Sequence, residues 1–263
     1  MLIGARDVLE SYGSLKKIRW VATPQREWRR GEIHPEHGRA ALDAARAAIA
    51  GALCGEYAAV VAAPHSETAI RAAGIAFDGY PSFVARAAGL APEDGILMLC
   101  FAHEGRELRI AHVTLHAAVR DAVQMISQER VVRTIRAADQ ALRRLSIAKP
   151  RIAVSGVNPH AGGDEERGTI APAIEQARRE GMLVDGPIGA DTLIQRKGYD
   201  AYVVMLHDQG HVAAKLLAPN RAAALTIGTP VLFSSVAHGA AFDIAGQDRA
   251  DPAAMVEAIT RLV

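Results

Sequence analysis

Three histidines in this 263-residue sequence stand where strand-like runs end. His116 follows the run 108–115, His160 follows 152–157 within Asn158-Pro159-His160-Ala161-Gly162, and His207 follows 202–206 within His207-Asp208-Gln209-Gly210. In open α/β sheets ligands gather beyond the carboxyl ends of the strands, where these side chains would project. Neutral imidazole binds divalent zinc, iron or nickel, and three of them leave positions open for substrate oxygens, the pattern of a catalytic metal. Singly, each reads better as a hydrogen-bonded loop or core histidine. Three in like positions favour the metal, and the other seven, His34, His37, His65, His103, His112, His211 and His238, do not share that placement. Lys215, eight residues after His207, faces the same side if a helix runs over 208–217, and there it could hold a carboxylate or exchange protons. By itself it reads as a solvated helix lysine. Asp191, in Gly189-Ala190-Asp191-Thr192, reads by itself as an N-cap, and Asp208 as a carboxylate complementing a helix start.

Positioning such side chains takes a sheet with aligned strand ends. β-rich runs at 57–63, 96–102, 108–114, 151–157, 201–206 and 223–227 alternate with stretches of helical periodicity at 37–52, 116–125, 129–145, 170–180 and 252–262. This alternation predicts an α/β fold with a largely parallel core. Gly105, within Ala102-His103-Glu104-Gly105-Arg106-Glu107, predicts a hairpin and hence an antiparallel part of the sheet. There is no internal repeat, low-complexity tract or long linker.

The charges nearly cancel, 30 Lys and Arg against 29 Asp and Glu, leaving no global field to draw in nucleic acid or an anionic membrane. A small-molecule partner fits better. Cys54 and Cys100 are isolated in apolar settings without CxxC spacing, which reads as reduced core cysteine and a cytoplasmic location. No apolar run approaches the roughly 20 residues that span a bilayer, and charged residues follow Met1-Leu2-Ile3-Gly4 at once, so a soluble, untargeted protein is expected. GxGxxG, Walker A, HExxH and GxSxG motifs are all missing.

In four ordered motifs the sequence resembles the 4-hydroxythreonine-4-phosphate dehydrogenase family: Asn158-Pro159-His160-Ala161-Gly162, Gly186-Pro187-Ile188-Gly189-Ala190-Asp191-Thr192, His207-Asp208-Gln209-Gly210, and His238-Gly239-Ala240-Ala241-Phe242-Asp243-Ile244-Ala245-Gly246. The likeness runs from about Trp28 to the C-terminus. It implies that His116, His160 and His207 are the metal ligands, that Lys215 contacts substrate, and that a homodimer shares its site between subunits. It also implies two domains of isopropylmalate/isocitrate-dehydrogenase type around an active-site cleft. Residues 1–78 with 216–263 would form the first, and residues 79–215, with the metal ligands and the dimer contact, the second. The segment His238 to Gly246 is similar to the adenosine-binding loop of those dehydrogenases, so NAD is expected there against Gly228, His238, Gly239, Ala241 and Asp243. Zinc is the expected metal by family and ligand type.

The departures from the family bear on substrate. Where phosphate-specific members carry Gly-His-Thr-Glu this chain has Gly79-Tyr80-Pro81-Ser82, and where they carry Ala-Pro followed by Lys it has Ala63-Pro64-His65-Ser66-Glu67. Ala224 and Phe233 stand in place of the family's substrate-contacting Asn and Arg, with no comparable polar groups. These segments, with Glu67-Thr68-Ala69-Ile70, Ala73-Gly74-Ile75-Ala76-Phe77 and His112-Val113-Thr114-Leu115-His116, resemble the terephthalate cis-dihydrodiol dehydrogenase branch. The branch implies NAD-dependent oxidative decarboxylation of 1,2-dihydroxycyclohexa-3,5-diene-1,4-dicarboxylate to protocatechuate and carbon dioxide. His65, Tyr80 and Ser82 would meet the substrate, and Lys215, Asp191 or Asp208 would manage protons. Tyr80 suits a flat ring; Phe233 reads better as plain core. A phosphorylated hydroxy acid such as 4-phospho-hydroxythreonine is the alternative substrate, and a three-histidine metal hydrolase or a non-catalytic ligand-binding relative are alternatives of other classes. The family's first strand with its Gly-Asp-Pro loop is not found in the sequence, and the segment after His160 is short. Loss of a first core strand should be severely destabilising, so residues missing from the sequence in hand are expected.

Overall fold

The computed structural model describes residues 1–13 and 15–262. In chain order its elements are β1 (Leu2–Gly4), α1 (Arg6–Ser11), β2 (Trp20–Ala22), α2 (Pro35–Leu53), β3 (Val60–Ala62), α3 (Glu67–Ala72), α4 (Tyr80–Ala87), β4 (Ile96–His103), β5 (Arg106–His112), α5 (Val119–Met125) and α6 (Gln128–Arg144). They continue with β6 (Arg151–Ser155), α7 (Ala171–Arg179), β7 (Leu183–Ile188), α8 (Ala190–Leu193), β8 (Ala201–Val204), α9 (His207–Leu217), β9 (Ala223–Ile227), β10 (Phe233–Val236) and α10 (Ala253–Thr260). One turn of π-helix, Glu166–Ile170, leads into α7.

Eight strands make one mixed sheet in the order β3-β10-β9-β4-β5-β8-β6-β7, while β1 pairs with β2 alone. The hairpin expected at Gly105 joins β4 to β5: Glu104 and Gly105 both have positive φ, 49° and 71°, the pair of conformations that matches strand twist. The expectation of a largely parallel core needs correction. β5, β8, β6 and β7 are mutually parallel, but β10, β9, β4 and β5 are antiparallel in succession, because the hairpin reverses the chain and β9 then pairs beside β4. That β4·β9 pairing also carries the sheet unbroken between the two expected units, residues 79–215 and residues 216–263.

The central strands are buried on both faces, so their apolar runs are continuous. Met98 and Cys100 of β4, Ala111 of β5 and Val203 of β8 face one layer, which α6 and α7 cover with Val131, Ile135, Leu142 and Ile174. Leu99 and Phe101, Leu108 and Ile110, and Tyr202 and Val204 face the other, covered by Leu193 of α8 and Ala214 of α9. Period-two alternation thus divides each strand between two cores. A third cluster packs Leu42 and Ile49 of α2 against Val60, Tyr80, Phe83 and Phe233. Cys100 is buried, whereas Cys54, expected in the core, is exposed because it caps the end of α2. Among the described residues no helix is long and apolar enough to cross a membrane.

Gly95, just before β4, has no space for a side chain: a Cβ would lie far inside contact distance of the Pro81 carbonyl in α4. Gly95→Ala should therefore push α4 off the sheet and cost about 1–3 kcal/mol, the usual penalty of overpacking. Chemical denaturation checks it, and an unchanged midpoint would show that α4 is not seated on Gly95.

Candidate functional site

The strand ladder brings two of the singled-out histidines together. Beyond the β5–β8 register His112↔Val204, the backbone N–H of Thr114 donates to Met205 O at 3.1 Å, and Thr114 Oγ1 donates to the same oxygen at 2.7 Å. His116 and His207 each lie two residues past that clamp, and their ring centroids are 5.6 Å apart. His116 is exposed, in the loop ahead of α5 and not in the helix expected from 116 onward; α5 begins at Val119. His207 opens α9, and its Nδ1 lies 2.7 Å from Asp208 Oδ1. A carboxylate only accepts, so Nδ1 is the donor here, and Nε2 is the nitrogen left to face a ligand. The helix runs through to Leu217, which places the exposed Lys215 on the His207 face.

His160 projects from the end of β6 with φ 60° and ψ 8°, and Ala161 follows at φ 51°. Two successive left-handed non-glycine residues cost about 1–3 kcal/mol each and persist only when their surroundings impose them. Glu166 imposes them. Its buried carboxylate accepts from Val157 N at 2.7 Å, Asn158 N at 2.8 Å, Gly163 N at 2.7 Å and Asn158 Nδ2 at 2.9 Å. Burial pushes its pKa up, but the donors from Asn158 and Val157 outweigh burial and hold it below the usual carboxylate value. The exposed Asp191, in the first turn of α8, shares a corner with His160 at Gly189, where a Cβ would meet Asp191 Oδ1 at 2.8 Å and His160 Cα at 3.7 Å. Among the described residues, no three His, Cys, Asp or Glu side chains gather closely enough to hold a metal ion. The site therefore falls into a His116–His207 half and a His160–Asp191 half.

Two cavities meet at His116. One, of about 240 Å³, is lined by His116, Val119, His207 and Asp208. The other, of about 500 Å³, reaches from His116 to Pro81, Ser82 and the start of α6. Ser82 faces the second, hydrogen bonded to Asp78 and 3.3 Å from Gly79 O. Tyr80 turns away from it: the ring is 5 % exposed and packs on His65, Phe77, Phe83 and Phe233, with centroids 4.6, 5.7, 6.4 and 4.9 Å away. Burial raises the Tyr80 pKa to about 12 and lowers that of His65, which Glu67 opposes. Phe233 is fully buried, as core, and Ala224, on the neighbouring strand opposite Ser235, is buried as well.

The residues singled out for NAD lie after β9 and β10. His238, Gly239, Ala241 and Asp243 are exposed; nothing approaches within 4 Å of a Cβ on Gly239, and Ala241 is left-handed at φ 45°. The backbone there is open to a ligand. Gly228 is different: at φ 81° a Cβ would collide with Asp94 O, which already accounts for a glycine at that position.

Single-position reading missed His112 and His211. His211 stacks on His207 with centroids 3.8 Å apart and planes 11° apart, and its Nδ1 lies 3.1 Å from His112 Nε2. His112 Nδ1 donates in turn to Leu97 O at 3.4 Å. Gly210 makes room, since a Cβ there would strike the His112 ring. The i, i+4 spacing of His207 and His211 on one helix was the available signal.

Burial lowers the pKa of His112 to about 3 and of His211 to about 4, with neighbouring histidine charges adding to the shift. Folded-state values below the unfolded value mean that the unfolded chain takes up protons first. Stability should be full above about pH 6.5 and fall as pH drops toward 4. Melting temperatures taken with chelator present should show this slope, and His112→Leu should flatten it; equal slopes would contradict the assignment. Separately, Glu166→Ala leaves four donors without their acceptor and should cost at least about 3 kcal/mol, with faster exchange at the Gly163 amide. Unchanged exchange there would show that the carboxylate does not hold the loop.

Residues 6–262 match the family model described as pyridoxal phosphate biosynthetic protein PdxA. A 1,2-dihydroxy-3,5-cyclohexadiene-1,4-dicarboxylate dehydrogenase of a Comamonas species is 48% identical over 237 residues, covering 88% of this chain and 74% of that one. A D-threonate 4-phosphate dehydrogenase of Cupriavidus necator is 40% identical over 210 residues, 76% of this chain and 61% of its own length. Among solved structures, a terephthalate 1,2-cis-dihydrodiol dehydrogenase from Burkholderia xenovorans superposes with TM-score 0.75 at 39% identity, over 99% of this chain and 88% of that one. A 4-hydroxythreonine-4-phosphate dehydrogenase from Klebsiella pneumoniae gives 0.80 at 35% identity, over 92% and 76%.

Proposed function

The chain belongs to the PdxA family of dehydrogenases, and we propose that it oxidises a cis-dihydrodiol dicarboxylate with NAD and a divalent metal, releasing carbon dioxide. The carrying observation is the pair of imidazoles, His116 and His207, lining one cavity of about 240 Å³, with His116 also lining a second of about 500 Å³ that reaches Pro81 and Ser82. Residues 1–78 with 216–263, and residues 79–215, are proposed as the two lobes around it.

Neutral imidazoles with free nitrogens suit a borderline divalent cation such as zinc. His116 and His207 would supply two ligands, and His160, set apart from them within one chain, would complete the set across a homodimer. Exposed Val119, Met125, Val212 and Leu216, on α5 and α9 next to this half-site, support a second copy there. The open backbone at Gly239 and Ala241, with His238 and Asp243, suits the adenosine end of NAD. When bound, the cation would acidify the hydroxyl being oxidised and polarise the ketone formed, and NAD would take the hydride.

The chain's own groups divide the remaining work. Asp208 fixes the His207 tautomer. Lys215, an exposed ammonium on the same helix face, meets the substrate carboxylate or returns a proton, and Asp191, on the His160 side, receives one. Oxidation leaves a ketone β to a carboxylate, so loss of carbon dioxide delivers its bonding pair toward that ketone and the ring becomes aromatic.

The D-threonate 4-phosphate relative favours a second reading, a phosphorylated hydroxy acid as substrate. Membership of a dehydrogenase family removes the ground for the hydrolase reading. NAD reduction measured with the dihydrodiol dicarboxylate and with 4-phospho-hydroxythreonine, each with and without zinc, separates the two substrates. The dicarboxylate should be favoured on the order of a hundredfold in kcat/KM, since Tyr80-Pro81-Ser82 supplies few phosphate donors. Comparable values, or a preference for the phosphate, would show the pocket misread.

A further inference from the structure

The larger cavity runs from His116 to a guanidinium that none of the roles above uses. Arg130 lies in the first turn of α6, where Ser127 caps the helix by accepting from Arg130 N at 3.2 Å. Its Nε donates to Val113 O at 2.7 Å, tying the side chain to the end of β5 three residues before His116. The other charged groups around this cavity have ion-pair partners of their own, three carboxylates sharing one guanidinium. Asp78 pairs with Arg86, and Arg133 pairs with Glu129 at 2.8 Å, Asp94 at 3.6 Å and Glu93 at 4.0 Å. Among the described residues no carboxylate lies within ion-pair distance of Arg130.

That leaves a half-buried cation without a carboxylate in direct contact. Burial first, then the charge of Arg133, holds the Arg130 pKa below the ordinary guanidinium value, with Glu93 opposing. Arginine stays protonated regardless, so the cost is borne as desolvation of a fixed charge, which an anion in the cavity would relieve. With Nε committed to Val113, both terminal NH2 groups remain, and a guanidinium so anchored presents a planar fork that fits a carboxylate. Ser82 lines the same cavity, but its hydroxyl already donates to Asp78, so Arg130 is the donor proposed for the ligand.

We propose that Arg130 binds a substrate carboxylate in the cavity that it shares with His116. The assignment rests on the dihydrodiol dicarboxylate reading and adds to it the receptor for the second, non-leaving carboxylate. A 1,4-disubstituted ring holds its two carboxylates on opposite sides. With the hydroxyls and the departing carboxylate near the histidines, the other carboxylate points away from them and toward the start of α6. Arg130 is thus a specificity residue, holding the part of the substrate that does not react.

The test compares wild type, Arg130→Met and Arg130→Lys on the 1,4-dicarboxylate dihydrodiol and on the analogue lacking the 4-carboxylate. Arg130→Met should raise KM for the dicarboxylate roughly ten- to a hundredfold, the size of a lost charge-assisted pair, with kcat changed only a few-fold. KM for the monocarboxylate should stay put, so that the preference collapses, and Arg130→Lys should recover part of it. Equal loss on both substrates, or a preference that survives in Arg130→Met, overturns the assignment. Should Arg130→Met fail to fold, calorimetric binding of benzene-1,4-dicarboxylate and benzoate to wild type and Arg130→Lys gives the same comparison. A dicarboxylate preference weakened by lysine supports the proposal, and a wild-type ratio near one sinks it. Turnover of neither dihydrodiol would overturn the substrate reading itself, and with Arg130 required instead for the phosphorylated hydroxy acid the carboxylate assignment falls too.

Discussion

One glutamine ties together the two strand ends on which the site is built. Gln209 Oε1 accepts from Met205 N at 2.9 Å and Leu206 N at 3.0 Å, and its Nε2 donates to Gly156 O at 3.1 Å. The side chain thus closes the first turn of α9, satisfies two N–H groups that the end of β8 leaves open, and reaches across to the end of β6. β8 lies between β5 and β6 and is parallel to both, so the three strands end along one edge. Fixing how β8 ends therefore fixes where His207 stands relative to its neighbours. A hydrophobic core cannot do this, because packing is non-directional and the strand termini lie above it.

Directional bonds recur wherever the site has to resist a local preference. His160 and Ala161 sit in a backbone region that costs free energy, and a buried carboxylate with four donors holds the segment. The His207 ring has three constraints of different kinds: the helix start, the Asp208 carboxylate on Nδ1, and the His211 ring stacked on its face. His211 is held by His112, which in turn needs Gly210 to have no side chain. A chain of small geometric requirements leads from a buried strand residue out to the half-buried imidazole of His207.

Much of this architecture could be read in the sequence. Alternation of apolar runs with helical periodicity carries the α/β class, and Gly105 marks the hairpin, because each depends on local backbone preference. β9 falls at 223–227 as expected, whereas β3, expected over 57–63, shrinks to Val60–Ala62, since β propensity outruns the length that finds a partner. β10 was missed because Phe233-Ser234-Ser235-Val236 is short and half polar; burial in the sheet, not pattern, makes it a strand. α4 was missed because Pro81 reads as a breaker, yet it sits in the first turn, where proline is tolerated. Of the site, the strand-end histidines were visible one at a time. Glu166, His112 and Arg130 were not, since each matters through a partner that the fold supplies from elsewhere in the chain. Tyr80 shows the reverse: a residue type suited to a flat ring is spent on an aromatic core.

The same constraints explain why a single chain leaves its candidate site in two pieces. His116 and His207 follow strands in parallel register, joined by the Thr114–Met205 clamp, while His160 lies in a segment whose flanks are bonded to Glu166 on the far side of β8. The two clamps hold different backbone segments, Thr114–Met205 for the first half and residues 157–163 for the second. What the fold offers is two half-sites at one sheet edge, with exposed apolar side chains on α5 and α9 beside the first. In the homodimer proposed above, burying those side chains against a second copy would accompany the approach of that copy's His160 and Asp191. In that arrangement the hydrophobic effect brings the halves together, and the directional bonds described above set the geometry at which they meet.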